Sequence, residues 1–288
     1  MLAIYKKELK YYFTSMMGYV FIALFLLAAG YVSSRMNLYV GYANFEYVLG
    51  SYMTLLFIVL APILTMRIMA EERRSKTDQL LLTSPLSVEK IIFGKYFAVA
   101  SVFLVVVAVM LLYPLILSSY GEVSFRTAYT GILGFALLGL ALLALGTFIS
   151  TCLENQVIAA VVSFFSILLL YFISDIASMF PSSNRSALLI LSVLLLLICL
   201  LVYWMLRNIL VAAGLFVVGE AALVLVYKLH QSFFDGIVVR VFSWLSVMDR
   251  YQTFMNNSLD LSSVIYLLSF TYLFLFLSIQ SIKKRRWR

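Results

Sequence analysis

The chain has 288 residues, of which 64% are hydrophobic and 12% charged, with a formal net charge of +8 and a mean hydropathy of +1.04. A soluble domain has about a quarter of its residues charged, so a soluble globular protein is excluded and the expected class is an all-α polytopic membrane protein. The basic residues crowd beside apolar spans, where they set orientation and meet anionic lipid, so nucleic acid is not an expected partner. With two unspaced cysteines, Cys152 and Cys199, and the single histidine His230, neither a disulfide framework nor a metal site is expected.

Residues 1–15 set Ile4, Leu9, Tyr12 and Phe13 among Lys6, Lys7 and Lys10, which predicts an interfacial helix. A first span is predicted at about 18–37, with Arg35 snorkelling outward, followed by an external aromatic stretch of Tyr39, Tyr42, Phe45 and Tyr47. The second span, at about 50–69, carries Pro62, which predicts a kink. Whether that kink is fixed or serves gating stays open.

Met66 to Tyr96, MRIMAEERRSKTDQLLLTSPLSVEKIIFGKY, holds ten of the chain's 34 charged residues between two apolar spans. Ser75 or Thr77 can cap a short helix bearing Asp78, Leu80, Leu81 and Leu82, which Pro85 stops. Ser87 can cap the next helix, with Glu89 in its first turn. Two readings stay open for this stretch: a docking surface for a soluble partner, or a solvated loop.

The third span is predicted at about 94–117 and the fourth at about 128–150, where Gly131, Gly134, Gly139 and Gly146 suggest a close helix neighbour. Ser150, Thr151, Glu154, Asn155 and Gln156 then form a polar turn. A fifth span at about 157–174 is followed by a pair at about 187–206 and 209–227, joined at Arg207 and Asn208. Glu220 falls mid-span, where a carboxylate costs roughly 2.5–3.5 kcal/mol. It is either a satisfied structural group or a proton- or substrate-handling one. Phe234, Ile237, Val238, Val241, Phe242, Leu245 and Met248 recur at helical spacing in an interfacial region, 229–261. A last span at about 262–281 ends in Lys283, Lys284, Arg285, Arg286, Trp287 and Arg288.

About eight spans result. Fifteen of the 21 Lys and Arg residues fall on one side if both termini share it, which makes that side cytoplasmic and the span number even. No GxxxxGK[ST], HExxH or GxSxG occurs, and Gly94-Lys95 lacks the upstream glycine. No nucleotide or catalytic site is expected on this chain, so work must be powered from elsewhere.

The run LTMRIMAEERRSKTDQLLLTSPLSVEKIIFGKYF resembles the loop between the second and third spans of ABC-2 type transporter permeases, in the subgroup named after gliding-motility permeases. IYKKELKYYFTS, STCLENQVIAA, VFSWLSVMDRYQTFMNNSLDLSSVIYLLS and the basic ending resemble the same family. The resemblance covers 1–175 and 229–288. It implies a single permease domain of the type V exporter kind, with an interfacial helix at 1–15, a cytoplasmic coupling helix at 71–85 and a re-entrant outer region at 229–261. The hairpin at 187–228 departs from the commoner six-span form. By the same resemblance, a separate ATPase subunit carrying ATP and Mg docks on Glu71, Glu72, Arg73, Arg74, Asp78, Leu81, Leu82 and Glu154. A second permease, identical or related, completes an exporter in a bacterial cytoplasmic membrane. The competing expectation is an ion- or proton-coupled carrier using Glu220.

Overall fold

The computed structural model describes residues 1–39, 45–77, 86–179, 188, 192, 195, 196, 199, 209–229, 236–256 and 258–286. They divide into two compact units, residues 1–169 with 250–288 and residues 170–249, where the sequence suggests one domain.

The first unit begins with α1 (Leu2–Thr14), which buries Ile4 and Tyr12 and exposes Lys6, Lys7 and Lys10. The chain turns at Met16, which is left-handed (φ 59), and enters α2 (Met17–Ser33). Gly18 permits that turn: a Cβ there would lie 3.0 Å from the Tyr12 carbonyl oxygen. α2 continues as a π-helical segment, Ser34–Tyr39.

The second span is longer than predicted. It starts in a single turn, Phe45–Tyr47, and passes through a π-helical segment, Val48–Met53, into α3 (Thr54–Thr65) and then α4 (Ala70–Arg74). Together these form one element of 30 residues, Phe45–Arg74. α3 runs through the buried Pro62, and the Thr65 hydroxyl donates to the Ala61 carbonyl at 3.0 Å. The ladder loosens a turn later, between Met66 and Met69. Phe45, expected in an external stretch, is buried and stacks on Tyr113 at 5.4 Å.

The third span is α5 (Val88–Met110), followed by α6 (Tyr113–Leu117), which carries Pro114 in its first turn, where a missing N–H leaves no bond unmade. Ser87 occupies the N-cap of α5, but its hydroxyl makes no capping bond. Then come α7 (Phe125–Cys152), α8 (Gln156–Met179), which crosses into the second unit, and α12 (Leu261–Arg286).

Four helices meet in a phenylalanine core. Phe25 of α2, Phe57 of α3, Phe103 of α5 and Phe135 of α7 are fully buried, with ring centroids 4.8–6.2 Å apart. Such pairs add about 0.5–1.5 kcal/mol each beyond their burial. The glycines of α7 admit these neighbours. A Cβ on Gly139 would strike the Phe103 ring, one on Gly146 would strike Thr65, and one on Gly134 would lie 2.6 Å from the Phe254 Cβ. The close neighbours expected of this helix are therefore α3, α5 and the Phe254 helix.

The second unit holds the end of α8, α9 (Ile209–Leu229), α10 (Ile237–Leu245) and the start of α11 (Val247–Met255), to which Phe254 belongs. The expected interfacial region thus takes the form of two short helices broken at Ser246. The Ser246 hydroxyl accepts the Asp249 N–H at 3.0 Å, capping α11, and the Asp249 carboxylate accepts the Ser174 hydroxyl at 2.7 Å.

Among the described residues, six helices are long and apolar enough to cross a membrane, not eight. Residues 187–206 lie mostly outside the described ones, and α9, although 21 residues long, is not among the six. Within the first unit α1 and the last turns of α12 lie at one end: Glu8 of α1 and Lys283 of α12 each pair with side chains from the first turns of α5.

Candidate functional site

α4 is the charged continuation of the second span, and three helices hold it at that common end of the unit. α7 holds its beginning. The Ser150 hydroxyl accepts the Met69 and Ala70 N–H groups at 3.1 and 3.3 Å and donates to the Met66 carbonyl at 3.2 Å. Met69 is the N-cap of α4 and supplies no side-chain oxygen, so a serine from another helix performs the capping. Gly146, one turn earlier on α7, lets Thr65 approach closely enough for this register.

α1 and α5 hold its middle. Lys95, only 2% exposed, donates to Glu8 and Glu72 at 2.8 Å each and to the Ile68 carbonyl at 3.0 Å. All three ammonium protons are thereby engaged. Two carboxylates and a carbonyl around one buried cation satisfy the condition under which a buried charge is tolerable. Glu8 and Glu72 are themselves mostly buried, and Glu72 Oε2 has no hydrogen-bond partner among the described residues.

Arg67 precedes α4 and clamps Glu71 with two bonds of 2.8 Å, from Nε and Nη2. Its guanidinium lies 4.8 Å from the Tyr11 ring centre, and the Tyr11 hydroxyl donates to Glu71 at 3.4 Å. Tyr12, beside it on α1, is buried and donates to the Leu64 carbonyl at 3.0 Å. Burial, with Glu8 and Glu71 nearby, pushes its phenol well above the usual range, so it remains a neutral donor. A cleft of about 540 Å³ opens between α1 and α4, with Lys7, Glu8, Tyr11, Glu71 and Glu72 in its walls.

Arg73 reaches toward α7 and α8, donating to the Thr151 carbonyl at 2.7 Å and pairing with Glu154 at 3.5 Å. Glu154 is 70% exposed, so that pair contributes about 0–1 kcal/mol. Arg74 is exposed and makes no ion pair among the described residues.

α4 ends in a Schellman turn. The Thr77 N–H bonds the Glu72 carbonyl at 2.9 Å and the Lys76 N–H bonds the Arg73 carbonyl at 3.1 Å, with Lys76 left-handed at φ 57. The Ser75 and Thr77 hydroxyls donate back to the Glu71 and Glu72 carbonyls. Both residues thus close the preceding helix, and the helix they were expected to open lies outside the described residues. Asp78, Leu81 and Leu82, with Pro85, lie outside the described residues.

Of the residues singled out in the sequence, Glu71, Glu72, Arg73, Arg74 and Glu154 therefore belong to one network. Pro62 lies apart, buried in α3. Glu220 belongs to α9 in the other unit, half-buried, with Oε2 lacking a hydrogen-bond partner among the described residues. Sequence reasoning missed Glu8, Lys95 and Ser150. A signal existed for Lys95: it lies between Ile91, Ile92, Ala98 and Val99, all buried, on a helix with no acid to spare on that face. A lysine so placed needs carboxylates from other helices.

Nothing in this network resembles a nucleophile with its base. It is a mechanical arrangement, in which a short helix on the end of a span is fastened to three others. Residues 28–279 match the family described as ABC-2 family transporter protein. No curated protein matches the chain.

Proposed function

The chain belongs to the ABC-2 family of transporter proteins, a multi-pass membrane permease of an ABC transporter, and from that premise we propose that it exports its substrate under the drive of a separate ATPase. The ATPase docks on the end of the first unit where α4 emerges, with Arg74 and residues 78–82 forming its seat. The basic residues gathered at that end, among them Lys6, Lys7, Lys10, Arg74, Lys76 and Lys90, support placing it in the cytoplasm with both termini.

The observation that carries this reading is the fastening of α4. A force applied to the stretch after Thr77 reaches α4 directly, and α4 cannot move without α1, α5 and α7, because Lys95, Arg73 and Ser150 join them. Glu71, Glu72 and Arg73 accordingly act inside the permease as transmitters, and Arg74 with the following stretch makes the outward contact. Two such permeases, identical or related, enclose the path. The competing carrier reading, with Glu220 as coupling group, is not favoured by the family.

The test is co-purification of the tagged permease with its ATPase after Asp78 through Leu82 is replaced by a Gly-Ser stretch. The wild type retains the ATPase and the replacement loses it. An ATPase retained by the replaced loop overturns the docking assignment.

A further inference from the structure

An apolar chamber of about 260 Å³ lies between α2 and α3, at the turn where α1 gives way to the first span. Its walls are Met16, Met17, Val20, Phe21 and Leu24 on one side and Leu60, Ile63 and Leu64 on the other. Arg67 and Tyr12 of the transport network touch its outer wall, at the Met17 sulfur and the Leu64 carbonyl, and neither lines the chamber itself. Its open side is formed by Val20, Leu24 and Ile63, each about half exposed (55%, 48% and 44%), so the chamber opens toward hydrocarbon.

We propose that this chamber binds one anionic glycerophospholipid, with an acyl chain between α2 and α3 and the phosphate over α1. Three observations, in the order of the parts of such a molecule, carry the assignment. The first is the chamber itself: its α2 wall runs from Met17 to Leu24, about 10 Å of helical rise, which suits a chain lying along the span.

The second is polar. The Ser15 hydroxyl lines the chamber at its α1 end, is buried and has no hydrogen-bond partner among the described residues. A buried hydroxyl without a partner costs about 1–3 kcal/mol, and an ester carbonyl at the glycerol level would accept its proton.

The third is charge. Lys7, Lys10 and Thr14 stand three and four residues apart, on one face of α1. Lys7 and Lys10 are exposed and make no ion pair among the described residues. Arg67 touches the chamber wall, its Nη1 lying 3.4 Å from the Met17 sulfur, but it is committed to Glu71. The phosphate therefore falls to the two lysines. A second permease covering the same face would satisfy the apolar wall but would leave Ser15 and the lysine row without a counterpart. The site does not depend on the ATPase, so its fate is separable from that of the docking proposal.

The experiment uses the full-length permease in detergent with phosphatidylglycerol bearing a photoactivatable group midway along one acyl chain. Mass spectrometry locates the adducts. Label is expected within residues 15–24 and 60–64, competed at least about tenfold better by phosphatidylglycerol than by phosphatidylcholine. Lys7→Gln and Lys10→Gln should each cut that preference about fivefold, the weight of one basic residue near an anionic surface. Leu24→Trp and Ile63→Trp should each remove the label with both headgroups while the melting temperature holds, so that one misfolded variant does not decide the matter. Label spread evenly over the lipid-facing helices, or equal competition by both lipids, overturns the proposal. So does an Ile63→Cys variant, with Cys152 and Cys199 replaced by serine, that crosslinks to a second copy while the chamber takes no lipid label.

Discussion

Replacing Lys95 by methionine is the sharpest perturbation of the α4 fastening. It keeps length and apolar stem and removes the charge. Glu8 and Glu72 each lie 2.8 Å from the ammonium, so their carboxylates are at most twice that distance apart, and both are mostly buried. Without Lys95 they face each other with no cation between them, and the Ile68 carbonyl loses its donor. Removing one partner of a buried ion pair costs about 3–5 kcal/mol, because the remaining charge stays buried. That is a large part of the total stability of an ordinary domain. At about 2–4 °C per kcal/mol, the melting temperature of the detergent-solubilised permease should fall by roughly 6–20 °C. Adding Glu8→Gln and Glu72→Gln to Lys95→Met should restore most of the loss, since a neutral replacement of a whole buried cluster is often tolerated. A Lys95→Met variant within a degree of wild type, or a triple variant worse than the single, refutes the reasoning.

Other consequences follow from the same packing. Gly146→Leu forces a side chain into Thr65, and differential scanning of the purified protein should show a loss of about 1–3 kcal/mol, against little change for Gly121→Leu, where no atom lies within 4 Å. Lys76→Gly relieves a left-handed lysine and should raise stability by about 1 kcal/mol, read in the same scan. Asp260 accepts the Ser262 N–H and hydroxyl and the Ser263 hydroxyl at the start of α12, and the Ser262 hydroxyl chiefly holds its carboxyl below the ordinary value of 3.8. A lowered folded pKa means that the unfolded chain takes up protons first as pH falls. The stabilisation is therefore complete well above 3.8 and is lost as pH drops through the folded value. The melting-temperature gap between wild type and Asp260→Asn should narrow on titration from pH 6 toward the carboxylate range.

Much of this was legible in the chain. The glycines of α7 announced close neighbours because a missing Cβ has one use in an apolar helix. The amphipathic pattern of residues 1–15 gave α1 its buried and basic faces. The charge of Met66–Tyr96, by contrast, suggested a loop beginning at the second span's end. The structure instead continues the helix through Glu71, Glu72 and Arg73, since Arg67 pairs with Glu71, Lys95 of α5 with Glu72, and Arg73 donates to the Thr151 carbonyl of α7. Lys95 and Thr151 lie 23 and 78 residues from Glu72 and Arg73, and no local pattern encodes such pairings. Ser75 and Thr77 carry a related ambiguity: a hydroxyl can close the helix behind it as readily as open the one ahead. Lys95 was counted as a positive charge, but its meaning depends on the two acids that α1 and α4 bring to it.

The most direct test of the account is cysteine labelling at Arg74→Cys, with Cys152 and Cys199 replaced by serine, using a membrane-impermeant maleimide. The site should react in inverted membrane vesicles and be protected there when the ATPase is bound. Reaction from the external face of intact cells, or labelling in inverted vesicles that the ATPase leaves unchanged, would contradict the claim that this end of the permease is where it is driven.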